Sequence, residues 1–213
     1  SLIKADTLNT TSYYEKFNIA LESFKLGRYR LAQNQFHEIF IQDTAFDPTV
    51  QIMIANAMYY QKDYDGASKI LRQLLPKLKN ISYRNYARLT LSDIYLSNGK
   101  YNIAYKNYLE IRATLKDSAI IDDVDDRLIL CISNGLNENE VENLLAREKN
   151  NFNRAIINLT RAYISWLKND TYNLNNALSA IKYRSLGNVY RKIFENLRGL
   201  KSNDYIKPVT IAA

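Results

Sequence analysis

The sequence predicts an all-α fold built from antiparallel helix hairpins, and three observations carry that expectation. Gly (6) and Pro (3) are scarce among the 213 residues, too few for an all-β chain with turn residues every ~8–12 positions. Hydrophobic residues make up 46% of the chain, more than a disordered polymer carries. One short motif then recurs three times at a nearly fixed spacing, and a repeat of that kind decides the whole architecture.

The motif reads Gly27-Arg28-Tyr29-x-x-Ala32-x-x-x-Phe36, then Lys62-Asp63-Tyr64-x-x-Ala67-x-x-x-Leu71, then Gly99-Lys100-Tyr101-x-x-Ala104-x-x-x-Tyr108. Its tyrosines are 35 and 37 residues apart. Gly adopts the left-handed conformation that ends a helix. The Tyr starts the next helix and packs back across the turn. Ala, with almost no side chain, lets the two helices approach. Four residues on, Phe36, Leu71 and Tyr108 return to the same face and fill the core. Upstream, Ile19-Ala20, Ile54-Ala55 and Leu91-Ser92 place a large and then a small residue at one fixed offset. Segments of ~14 residues joined by tight turns make αα-hairpins. Asp47-Pro48 reads as an N-cap and a first-turn proline opening the second hairpin.

These residues resemble the tetratricopeptide repeat family over 13–116, taken as three hairpins after an N-terminal lead-in, 1–12. Lys62 in place of Gly, and the displaced prolines Pro48 and Pro76, depart from the family pattern. The resemblance implies an α-α solenoid, a right-handed superhelix with first helices lining a concave groove. Pentatricopeptide RNA-binding repeats share the period but fit the large/small pair and the Tyr-x-x-Ala spacing less well. The family registration puts Tyr14, Phe17, Leu21 and Phe24 on the inner face, followed by Ile52, Asn56 and Tyr59, then Tyr86, Leu89 and Asp93. Family members that clamp a C-terminal carboxylate need Lys, Arg and Asn at several of these stations. Only Asn56 fits, so the implied ligand is an apolar helix or extended peptide, or the groove is filled by the protein's own segments.

Beyond 116 the motif decays while helical signals continue, read as degenerate pairs closing the array over 117–199. Asp122–Ser133 is predicted as a helix with acids at its start, ended by Asn134-Gly135. Asn137–Glu148 opens on a capping sequence. Phe152–Lys168 carries Ile156, Leu159, Tyr163, Trp166 and Leu167 on one stripe, and Leu174–Tyr183 and Leu186–Leu197 follow. Residues 200–213 read as a linker and a possible first strand of a following α/β domain, with a loosely packed terminus as the alternative.

Signals of chemistry are absent, and no catalytic, cofactor or metal residue is assigned. His37 is the only histidine and reads as a partly packed structural residue. Cys131, the only cysteine, excludes an intramolecular disulfide and reads as a buried inert thiol. There is no GxGxxG, phosphate loop or HExxH. Asp122-Asp123-Val124-Asp125-Asp126 lacks the Gly and closing Glu of a calcium loop and is expected to be an exposed helix start. No run approaches the ~20 apolar residues of a membrane span, and Ser1–Asp6 is no signal peptide.

Charge is uneven around the net +7. Residues 1–116 carry +6, 117–146 carry −7 and 147–213 carry +8. Lys182, Tyr183, Arg184, Tyr190, Arg191, Lys192 and Arg198 interleave basic and aromatic groups. They read either as a phosphate-contacting surface or as the solvated face of a helix. The expected function is therefore a non-catalytic protein- or peptide-binding scaffold, the helical domain of a larger protein. Nucleic-acid binding is the less favoured class. A narrower resemblance rests on Ile206–Ala213 and domain order. It is to bacterial envelope proteins whose helical repeats precede a periplasmic-binding-protein-like domain, such as solute-binding receptors and lipoprotein activators of peptidoglycan synthases. That resemblance would place the chain in the periplasm; the residues by themselves leave the cytoplasm open.

Overall fold

The structure is a computed structural model that describes residues 12–42, 48–115 and 118–199. Among these it holds eleven α-helices, two single 3₁₀ turns and no strand, so the fold is all-α. The helices are α1 Tyr13–Lys25, α2 Tyr29–Gln42, α3 Pro48–Tyr60, α4 Tyr64–Leu74, α5 Ile81–Ser97, α6 Tyr101–Arg112, α7 Ser118–Ser133, α8 Glu138–Arg147, α9 Asn151–Leu167, α10 Thr171–Ser179 and α11 Asn188–Gly199. They fall into two compact units that divide inside α5, after Ile94. No described helix is long and apolar enough to cross a membrane. The N-cap expected at Asp47 and the strand expected within 200–213 lie outside the described residues; Pro48 does open α3.

The repeated motif builds the same turn each time. Gly27, Lys62 and Gly99 take φ values of 73°, 65° and 69°, and Tyr29, Tyr64 and Tyr101 are the first residues of the helices that follow. The left-handed residue donates its N–H to the carbonyl three back: Gly27 to Phe24 at 3.0 Å, Lys62 to Tyr59 at 2.9 Å, Gly99 to Leu96 at 3.0 Å. The next N–H reaches five back: Arg28 to Ser23 at 2.9 Å, Asp63 to Met58 at 3.0 Å, Lys100 to Tyr95 at 2.8 Å. Together these satisfy carbonyls that a helix end leaves open.

A fourth copy of this turn joins α9 to α10, where Asn169 (φ 57°) donates to Trp166 at 3.0 Å and Asp170 to Ser165 at 2.9 Å. Sequence reading passes over it because Thr171 stands where Tyr is expected and Leu174 where Ala is expected. Two signals remain: Thr171 follows Tyr101 by 70 residues, twice the repeat length, and Ala162 holds the small-residue register nine positions before it.

Packing follows the motif. Ala32, Ala67 and Ala104 are fully buried, as are Phe36, Leu71 and Tyr108; burying a side chain such as Phe36 contributes about 1.5–3 kcal/mol. In the first unit Ala20, Ala32, Phe36, Ile39, Val50 and Ile54 form one cluster. Of the large residues in the large/small pairs, Ile54 and Leu91 are buried but Ile19 is exposed. Ile19 lies on the first hairpin, and among the described residues no earlier hairpin covers that side.

Helix ends are capped as the sequence allows. Ser12 and Glu15 form a reciprocal capping box on α1, and Asp63, Asn137, Asn150 and Asp170 cap α4, α8, α9 and α10 through their side chains, each accepting from a first-turn N–H that the helix leaves without a partner. Several boundaries differ from expectation, α10 starting three residues before Leu174 and α11 running Asn188–Gly199 rather than from Leu186 to Leu197. Helix α7 starts four residues before Asp122, so the acidic run sits in its second turn. Helix α10 stops at Ser179; Ala180, Ile181 and Lys182 form an irregular link, and a 3₁₀ turn begins at Tyr183. In the second unit α9 is central, with Ala155 to Thr160, Ala162, Ile164 and Ser165 buried along it. Leu167, expected on its apolar stripe, is exposed, because it falls beside the turn.

Candidate functional site

The ten residues expected along the inner face all belong to the first unit, and the structure divides them into packed and exposed groups. On α1, Phe17 meets the Phe36 ring edge-on at 5.4 Å, and Leu21 and Phe24 are half-buried against the central cluster. Tyr14 is 77% exposed and touches Tyr13 edge-on at 5.6 Å. On α3, Ile52 is buried. Asn56 is half-buried and accepts a 2.5 Å hydrogen bond from Thr90 of α5, so its carbonyl oxygen holds two first helices in register. Tyr59 is half-buried, against Tyr60 at 5.2 Å and Tyr64 at 5.6 Å. On α5, Tyr86 is 49% exposed while Leu89 and Asp93 are half-buried.

A further aromatic group gathers at the turn end of the first two hairpins. Tyr29 packs back on Phe24 at 5.3 Å and stacks on Tyr60 with centroids 4.7 Å apart and planes 13° off parallel. Tyr60, about half exposed, was not among the expected residues. The Tyr59-Tyr60 dipeptide at a helix end was its only trace in the sequence.

The second unit is organised by a buried polar cluster. Arg112 Nε donates to Asp125 Oδ1 at 2.8 Å, the Tyr190 hydroxyl donates to the same oxygen at 3.0 Å, and the Arg112 guanidinium lies 4.2 Å over the Phe152 ring. This corrects the reading of Asp122–Asp126 as wholly exposed: Asp125 is buried, because it lies on the face of α7 that carries Val124 and Leu128. Burial raises its pKa, opposed by the hydrogen bond and charge of Arg112 and by Tyr190. Tyr190 and Tyr105 are also pushed upward, mainly by burial, so both phenols remain neutral donors. Thr160 Oγ1 donates to Ile156 O at 2.9 Å, which leaves it to accept from Tyr105 at 2.8 Å. Cys131 is buried and forms no disulfide.

The basic and aromatic residues near the end do not form a row of open rings. Tyr190 is fully buried, and Arg191 lies over Tyr183 at 5.2 Å.

Residues 4–116 match the family described as the tetratricopeptide repeat-like domain. No curated protein and no solved structure matches the chain. Since the family match spans more than half of the 213 residues and covers the three turns that carry the repeated motif, the chain belongs to the tetratricopeptide repeat-like domain family.

Proposed function

We propose that the chain is a non-catalytic protein-interaction scaffold that receives an apolar helix or extended peptide along Tyr14, Tyr59 and Tyr86. Membership of a repeat family of this kind supports the general reading. One observation carries the finer one: Tyr14 and Tyr86 remain exposed at inner-face registers, with no Lys or Arg at the ten stations. Tyrosine rings supply large contact area with a polar tip, the chemistry common to binding hot spots.

The test places a photo-crosslinking amino acid at Tyr86 and identifies proteins captured by the chain. One captured protein is expected, with its yield reduced several-fold by Tyr14→Ala and Tyr59→Ala. A yield indifferent to both substitutions would end the groove reading. The narrower proposal, a helical domain of a bacterial extracytoplasmic receptor or peptidoglycan-synthase activator, rests on residues 206–213, which lie outside the described residues. The nucleic-acid alternative finds no support in the buried Tyr190 ring.

A further inference from the structure

Within the second unit a cleft lies along α9. It is lined by Asn151, Arg154, Ala155, Asn158 and Arg161 of α9, Leu145 of α8, and Ala180 and Lys182 of the link after α10. Its volume is ≈ 380 Å³, and its lining holds three cations and no carboxylate. The two alanines open the space that larger side chains would fill.

The two arginines are held in place, Arg161 in part by an ion pair with Glu142, and each keeps N–H groups without a partner among the described residues. Arg154 Nη1 donates to the carbonyls of Leu145 at 3.1 Å and Glu148 at 2.8 Å, fixing the guanidinium against the end of α8 and leaving Nε and Nη2 uncommitted. Arg161 donates through Nε to Glu142 and through Nη1 to Asn158 Oδ1 at 2.9 Å, leaving Nη2. Asn158 is buried and is itself fixed by donating to Arg154 O at 3.0 Å. Lys182 is exposed and makes no ion pair among the described residues. Arg161 occupies the register, ten residues before the helix that follows the turn, at which Ile54 and Leu91 are buried aliphatics. A charge stands in α9 where two other hairpins bury an apolar side chain.

We infer that this cleft takes a pair of adjacent acidic side chains from a protein partner, a refinement that rests on the scaffold reading. The Arg154 guanidinium, fixed by two backbone carbonyls, and that of Arg161, fixed by Glu142 and the Asn158 amide, bind carboxylates through their remaining N–H groups without first losing rotamer freedom. The size suits one or two side chains rather than a run of nucleotides. Glu138, Glu140 and Glu142 of α8 lie close in the chain to Leu145 of the lining, and they disfavour a long polyanion more than a single acidic pair.

The test uses the 213-residue chain and a fluorescent octapeptide with two adjacent glutamates, read by anisotropy. Saturable binding is expected, with the glutamine isostere binding at least about tenfold more weakly and Lys182→Gln lowering affinity roughly five- to tenfold. Lys182→Arg should retain binding, and circular dichroism checks that each variant is folded. Equal binding of the isostere, or an unchanged affinity in folded Lys182→Gln, overturns the inference. Preferential binding of oligothymidylate, weakening steeply with salt, also overturns it, in favour of nucleic acid. Cross-linking at Tyr86 that persists without peptide binding sinks the cleft alone; peptide binding without cross-linking sinks the groove alone.

Discussion

Lys62 sits where two other turns carry glycine, at φ 65°, and replacing it tests whether backbone conformation governs these hairpins. A side chain in the left-handed region costs about 1–2 kcal/mol, and Lys62→Gly removes that cost. Glycine's greater freedom in the unfolded chain returns about 0.4–1 kcal/mol. The net expectation is a gain of about 0.5–1 kcal/mol, because the exposed Lys62 side chain forms no ion pair among the described residues and the Lys62 N–H to Tyr59 bond is kept. Gly99→Ala is the counterpart. A Cβ there meets nothing within 4 Å, so its loss, about 1 kcal/mol, is conformational rather than steric. Urea unfolding followed by circular dichroism measures both, with unchanged slopes required for the comparison. A Lys62→Gly variant less stable than the parent, or a neutral Gly99→Ala, would refute the strain argument.

Two other outcomes follow from packing and charge. Ala32→Leu, at a fully buried position beside Ala20 and Phe36, should overpack the first hairpin and cost about 1–3 kcal/mol; an unchanged urea midpoint would mean that the hairpin does not close there. Asp125 has a folded pKa raised above its ordinary value of 3.8, chiefly by burial. Its contribution is therefore full below the unfolded pKa and is lost as pH rises through the folded one. The stability of the parent relative to Asp125→Asn should thus decline from pH 4 to pH 7, and a difference that grows with pH would contradict the assignment.

The sequence by itself determined the local geometry. Tight-turn residues, alanines and returning bulky side chains recur at one spacing, and each acts through contacts close in the chain, so Tyr29, Tyr64 and Tyr101 are legible as helix starts in the sequence. The α9–α10 turn escaped because Asn169 performs glycine's task, and that substitution is visible only once its φ is known. Tertiary structure alone decided which polar groups are inside. Asp125 reads in sequence like its acidic neighbours; only the distant Arg112 and Tyr190 make its burial tolerable. The expected inner face was likewise split by packing across helices, which buried Ile52 and left Tyr14 and Tyr86 in solvent. The cleft of Arg154, Arg161 and Lys182 had no linear signature, since its walls come from helices and a link whose proximity is set by the fold.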